Sequence, residues 1–324
     1  MKPPYIQTLI EIGNYSNFQT PALAQYFFDL DCEESVKKVY EAFQFAKKED
    51  LKTLVIGWGT NMLFAFDVFA GLVIKNSLKG WSYDQKNHIL ETYAAEPIRW
   101  IAEVLVREWE NTLWSRFIWL PWSIWGAIYG NAGCFWLETE SNFLDCEVVD
   151  LETGKRRILE KKDMNFSYRS SLLKETDRYF LVKARFDLSK KVEKYHSDVD
   201  NIDFRENKQP KGHSCGSFFK NPPGFVYILN GKEEIIMDMK KVKKIQQEWG
   251  ELRNLSAGYL IEKVWLKWAH YKGAYFSSLH ANFLMSDGST ASWEHLIYLV
   301  KLAQGKVKNE FWIELENEVR IIKN

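Results

Sequence analysis

The chain has 324 residues, 46% hydrophobic and 27% charged, with 43 Lys plus Arg against 43 Asp plus Glu. That is the balance of an ordinary globular protein with substantial cores, and zero net charge removes any field that would draw in nucleic acid or an anionic membrane. One count stands out: 14 Trp beside only 18 Gly.

The N-terminus, MKPPYIQTLIEIGNYS, lacks an apolar run of signal-peptide length. Residues 31–50 predict an amphipathic helix, with Val36, Val39, Tyr40, Phe43 and Ala46 at helical spacing and Asp31 with Glu34 as a capping box. LKTLVI predicts a buried strand, GWGTNML a small-residue turn and GLVIK a second strand, an α+β pattern with a ligand loop at a strand end. IRWIAEVLVREWE predicts a helix that runs into FIWLPWSIWGAIYGNAGCFWL, residues 117–137, which carries no charge. That stretch is long enough to cross a bilayer. Against a membrane span, Pro121, Ser123, Asn131 and three glycines interrupt it, and its tryptophans lie within it rather than at its ends.

CEVVDLETGKRRIL, with a turn at Thr153-Gly154, and YFLVKARFDL read as strands, and the polar residues 189–213 mark a domain boundary. SCGSFFKNPPG is a turn-rich loop, and KEEIIMDMKKVKKIQQEWGELR predicts one helix with a frayed start. GAYFSSLHANFLMS predicts strands around a turn, SWEHLIYLVKLAQGKVKNEF a helix and WIELENEVRII a closing strand. Cys32, Cys134, Cys146 and Cys215 form no C-x-x-C pair and the six histidines no H-E-x-x-H. Nothing therefore points to a metal site, and the cysteines read as thiols in a reducing cytosol.

With glycine in place of tryptophan, residues 117–137 resemble the glycine-rich flavin-binding segment of the UDP-N-acetylenolpyruvoylglucosamine reductase family. Five further segments resemble that family in its own order: GWGTNMLF, FSYRSSLLK, SCGSFFKNPPG, AGYLIEKVWLKW with GAYFSSLHANF, and IELENEVRII. The set runs from about residue 55 to residue 322. The departures share one form. Trp58, Trp119, Trp122, Trp125, Trp136, Trp265, Trp268 and Trp312 each stand where the family pattern has Gly, whereas Trp249 and Trp293 do not. One replacement made eight times implies a UGA codon that the source reads as glycine and that was translated here as tryptophan. Genuine indoles would instead fill the flavin site and leave a catalytically inactive nucleotide-sugar-binding relative.

The resemblance implies an α+β fold. It has an FAD-binding domain of the vanillyl-alcohol-oxidase (PCMH) type in two subdomains, residues 1–80 and 81–190, and an α+β substrate-binding domain, residues 191–324. It implies a cytoplasmic enzyme of peptidoglycan precursor synthesis that binds neither nucleic acid nor membrane. This enzyme reduces UDP-N-acetylglucosamine-enolpyruvate to UDP-N-acetylmuramate with FAD and NADPH. Backbone groups of Gly57, Trp58, Gly59, Thr60, Asn61, Met62 and Leu63 would hold the pyrophosphate, helped by Pro121, Trp122, Ser123, Gly126 and Ala127 and by Asn131, Ala132 and Gly133.

By motif match, Ser217 is the proton donor, Arg169 contacts the substrate carboxylate and Glu318 is the catalytic glutamate. Taken alone, a serine after glycine more often bonds its own backbone, a lone arginine more often forms a surface ion pair, and a strand carboxylate is more often exposed. Tyr168, Lys220, Asn221, His280 and Asn282 are candidate substrate contacts, with His280 equally readable as a structural histidine. A hydrolase serine is not supported, because GHSCGS is not G-x-S-x-G.

Overall fold

The computed structural model describes every residue except 119, 135–136, 190–208, 239 and 243–249. Trp119, Trp136, Trp249 and the expected boundary near residue 190 therefore lie outside the described residues.

The first sheet has the order β1 (Gln7–Glu11), β2 (Leu23–Leu30), β5 (Val68–Asn76), β3 (Lys52–Ile56), with β2 and β3 both parallel to β5. Helix α1 (Val36–Lys48) links β2 to β3 and buries Val36, Val39 and Ala46 of the expected stripe, with Ala42 and Phe45 in addition, while Tyr40 and Phe43 are half-buried. Its start differs from the expected Asp31/Glu34 box. A 3-10 turn takes up Glu33–Ser35, so Ser35 becomes the cap residue and makes no side-chain cap bond. The short strand β4 (Met62–Phe64) follows the GWGT turn and lies outside this sheet.

The second sheet is antiparallel throughout, in the order β11 (Arg156–Glu160), β10 (Phe143–Asp150), β12 (Tyr179–Asp187), β7 (Ile89–Tyr93), β6 (Trp81–Asp84). Helix α2 (Ile98–Trp109) precedes the charge-free stretch, which folds as several short pieces. They are a 3-10 turn, helix α3 (Ile124–Tyr129) and the hairpin strands β8 (Gly133–Cys134) and β9 (Leu137–Glu138). Pro121 precedes α3 and Gly130 ends it, so the apolar run never becomes one long helix. Among the described residues no helix is long and apolar enough to cross a membrane. One large core joins α1, α2, α3 and the inner face of the second sheet, and Trp114 lies inside it at 1% exposure, edge-on to Phe117 and Phe186.

The last third has its own core, built on helices α5 (Ala257–Lys263) and α6 (Trp293–Phe311) with strands β16 (His270–Tyr271), β17 (Ala274–Phe276) and β18 (Leu284–Ser286). Here the structure corrects one expected helix. Lys232–Ile236 is a strand, β14, paired with β13 (Phe225–Leu229) around Asn230-Gly231, and Glu251–Asn254 is strand β15 on the other side of β13. Both turn residues are left-handed, at φ 52° and 76°, as a two-residue hairpin of the Asn-Gly kind requires. The closing strand is also shorter than expected. Only Arg320–Ile322 (β19) is regular, and it runs parallel to β4, back on the first third of the chain.

Trp114 fills space that no smaller side chain occupies. Trp114→Ala should cost about 3–5 kcal/mol, read as a lower urea midpoint with an unchanged slope.

Candidate active site

Four segments meet where β19 returns: the 57–61 turn, the 167–170 turn, the serine loop 214–219 and residues 316–319. The first turn leaves β3 with Gly59 at φ +65°, and a Cβ there would lie 2.3 Å from the Tyr15 carbonyl oxygen. Only glycine fits this position. The Met62 N–H closes the turn on the Gly59 carbonyl at 3.1 Å. Among the described residues no protein acceptor meets the N–H groups of Trp58, Gly59, Thr60 and Asn61. A turn with four unengaged N–H donors is an anion cradle, and it fits a pyrophosphate.

In the 121–127 segment several backbone donors are used within the protein. The N–H groups of Ile124, Trp125 and Ala127 donate to the carbonyls of Glu96, Ala94 and Ser123, and that of Gly126 donates to Ser123 Oγ at 3.3 Å. Of the expected contacts here, Gly126 and Ala127 thus use their N–H groups at the start of α3, which Ser123 caps, and Pro121 and Trp122 lead into that cap. A cavity of about 440 Å³ opens between the two sheets, lined by Lys47, Val55, Trp125, Tyr129, Leu173 and Arg320 among others, within the size range of ligand sites. The Trp125 ring packs against Tyr129 and Phe180 at the edge of this cavity.

The fully buried side chain of Asn131 is a clamp. Its amide donates to Glu138 Oε2 and to the Ser167 carbonyl, and its Oδ1 accepts from the Glu140 N–H. Ala132 is similarly engaged, its carbonyl accepting from the N–H and hydroxyl of Thr139. Burial and the neighbouring Glu140 push the Glu138 carboxyl above its ordinary value.

Ser167 and Ser170 exchange backbone hydrogen bonds across a tight turn whose second central residue, Arg169, has φ 58°. Left-handed backbone is strained for a side chain of this size, and two donors outside the turn hold it. Asn131 grips the Ser167 carbonyl, and Lys174 Nζ grips the Arg169 carbonyl at 2.8 Å. Arg169 Nε then donates to Glu318 Oε1 at 2.8 Å, with both side chains 21% exposed, and a terminal nitrogen stands 3.5 Å from the Gly133 carbonyl. The guanidinium also lies over the exposed ring of Tyr168, 5.3 Å from its centre. Burial lowers the Lys174 ammonium below its ordinary value, with Lys220, Arg320 and Arg169 acting in the same direction. Lys174, which the sequence reading did not single out, thus stands with Arg169 near Glu318, while Arg320 pairs with Asp177 at 3.3 Å.

The serine loop faces this pair. The Glu318 N–H donates to the Phe218 carbonyl at 2.8 Å, so Ser217 sits one residue from the Glu318 backbone. Ser217 is half-buried, its backbone bridges Phe283, and its hydroxyl takes no hydrogen bond among the described residues. Beneath it, Cys215 Sγ donates to the Met62 carbonyl, and burial pushes this thiol up to about 12, so it stays neutral.

Of the expected substrate contacts, Lys220 pairs with Glu316 at the rim. Asn221 Oδ1 accepts the Ala257 N–H at the start of α5. Asn282 is 1% exposed and holds Phe219 in both directions, accepting its N–H at 3.0 Å and donating to its carbonyl at 2.8 Å. His280 accepts the Asn282 N–H on Nδ1 and packs on Phe283, and burial lowers its pKa. Asn282 and His280 are therefore supports of the serine loop, a role that no sequence motif distinguishes from ligand contact.

Asn282→Ala leaves the Phe219 N–H and carbonyl buried without partners and should lower stability by about 2 kcal/mol or more, read by urea denaturation. Because the folded pKa of His280 lies below its unfolded value of 6.5, its contribution is present above pH 6.5 and lost as pH falls through the folded pKa. Melting temperature should therefore drop on acidification below pH 6.5, and His280→Gln should flatten that part of the profile.

Comparisons with known proteins agree with this arrangement. Residues 208–322 match the model of the UDP-N-acetylenolpyruvoylglucosamine reductase C-terminal domain, and residues 32–160 match that of an FAD binding domain. Reductases of that name from Protochlamydia amoebophila and Chloroflexus aggregans are 28% and 29% identical to the chain. The alignments take in 99% of this chain and 95% of the first relative, and 86% and 85% for the second. The crystal structure of the enzyme from Thermus caldophilus has the same fold, with a TM-score of 0.69 at 20% identity over 98% of this chain and all of that one. With both parts of the chain matched and the site segments in family order, the chain belongs to the UDP-N-acetylenolpyruvoylglucosamine reductase family.

Proposed function

We propose that this chain is a flavin-dependent oxidoreductase. It reduces the enolpyruvyl double bond of UDP-N-acetylglucosamine-enolpyruvate to give UDP-N-acetylmuramate, with NADPH as electron source. The observation that carries this reading is the meeting of three distant residues at one point: the Arg169–Glu318 pair at 2.8 Å and, bonded to the Glu318 backbone, the loop that carries Ser217. A pure binder of nucleotide sugars has no use for this combination. We assign the reaction to the cytoplasm, in keeping with four cysteines that form no disulfide.

The 57–61 turn would hold the FAD pyrophosphate on its four backbone donors. The chemistry FAD supplies when bound is hydride transfer, from NADPH and then to C3 of the enolpyruvyl group. Two tasks remain for the protein: to stabilise negative charge on the enol carboxylate and to deliver a proton to C2.

Arg169 suits the first task, since a guanidinium held at Nε keeps its terminal nitrogens for a planar carboxylate. Glu318 orients it. The strained turn at Arg169, fixed by Lys174 and Asn131, means the guanidinium is placed before substrate arrives, which is where electrostatic stabilisation is most effective. Lys174 and Asn131 act as positioning residues. Ser217 suits the second task. Its hydroxyl has no competing partner among the described residues, and Asn282 and Glu318 fix its loop from two sides. A serine is a weak acid, so the proton moves only toward a strongly basic enol carbon, and Glu318 is in place to return a proton toward Ser217.

Ser217→Ala should lower kcat by about 10²–10⁴-fold, while the rate at which NADPH reduces the bound flavin without substrate stays close to that of the parent. Stopped-flow absorbance at the flavin band separates the two half-reactions. A Ser217→Ala enzyme that keeps kcat within about threefold of the parent would remove the serine from this mechanism.

A further inference from the structure

Seven of the described tryptophans fall into two physical groups. Trp81, Trp109 and Trp114 pack edge-on against aromatic neighbours, and Trp293 donates its indole N–H to Asp67 at 3.1 Å. Each of these uses its ring. Trp265, Trp268 and Trp312 do the opposite, with exposures of 90%, 65% and 88%, so their rings bury little apolar surface. All three also have left-handed backbone, at φ 60°, 73° and 58°, a region that a bulky side chain seldom enters.

The hydrogen bonds at these three sites are those of glycine positions. Trp312 ends α6 as a left-handed cap, its N–H returning to the Lys308 carbonyl at 2.9 Å. Trp265 follows α5, and the next residue, Leu266, sends its N–H five residues back to the Ile261 carbonyl at 3.1 Å, the closure of a glycine-type helix stop. Trp268 is the third residue of a turn closed by the Ala269 N–H on the Leu266 carbonyl at 3.0 Å, where positive φ calls for glycine.

Left-handed backbone, an unburied ring and glycine-type closure coincide at three separate sites. We infer that residues 265, 268 and 312 are glycine in the protein its source makes, the written tryptophans being UGA codons read there as glycine. By the same criterion Trp81, Trp109, Trp114 and Trp293 are genuine. The inference rests on backbone geometry and not on the proposed reaction, so a chain without reductase activity would leave it standing.

The test is to sequence the gene and, by mass spectrometry, the corresponding peptides of the protein from its source. UGA codons and glycine masses are expected at 265, 268 and 312, with UGG and tryptophan at 81, 109, 114 and 293. UGG codons at the three left-handed positions would overturn it. In recombinant protein, the combined Trp265→Gly, Trp268→Gly and Trp312→Gly variant should melt roughly 5 °C or more above the tryptophan chain, since each left-handed tryptophan is strained. A variant no more stable than the tryptophan chain would contradict the geometric basis of the inference.

Discussion

The return of the C-terminal segment to the start of the chain is the constraint on which the site depends. Residues 320–322 pair in parallel with 62–64, and just before them the Asn61 side chain donates to the Glu318 carbonyl while the Arg320 N–H donates to the Asn61 carbonyl. A three-residue parallel pair contributes little alone. It persists because its side chains belong to two cores at once: Leu63 and Val319 to that of the last third, Phe64 and Ile322 to that of the first sheet. This junction fixes Glu318, and Glu318 fixes both Arg169 and the Phe218 carbonyl.

Around that junction the polar residues divide into those that build and those that remain available. Asn131 and Asn282 use both ends of their amides within the protein, while Asn221 and His280 each accept one backbone N–H. The Ser217 hydroxyl and the backbone donors of residues 58–61 have no such partner among the described residues. Leaving a hydroxyl and four N–H groups without protein partners has a desolvation cost unless water or ligand meets them, so their clustering at one place marks where a ligand belongs. The strained turn at Arg169 has the same meaning. A left-handed arginine persists only where surrounding bonds enforce it, and here Lys174 and Asn131 enforce it from opposite sides of the loop.

Much of the fold was legible in the sequence because apolar spacing reports burial directly. The stripe along α1, the strands flanking the GWGT turn and the Thr153-Gly154 hairpin all form as their patterns require. Lys232–Ile236 is a strand where the lysine-rich run after it suggests helix, because the hairpin dipeptide Asn230-Gly231 turns the chain back onto β13 and cross-strand pairing outweighs helix propensity. The charge-free segment is the reverse case, where an apolar length consistent with a membrane span is cut by Pro121 and Gly130 into pieces too short to cross one.

The sequence by itself determined the family, and its ordered motifs and glycine turn supplied the candidates Ser217, Arg169, Glu318 and residues 57–61 for the proposed site. Which polar residues face a ligand was decided only by tertiary structure. An asparagine that clamps a loop and one that contacts a substrate have the same side chain, and they differ only in where their partners lie in space. The same holds for tryptophan. The letter at 114 and the letter at 312 are identical, but one ring fills a core while the other stands on a left-handed helix end in solvent. Backbone torsion and burial, which separate the two, exist only once the chain has folded.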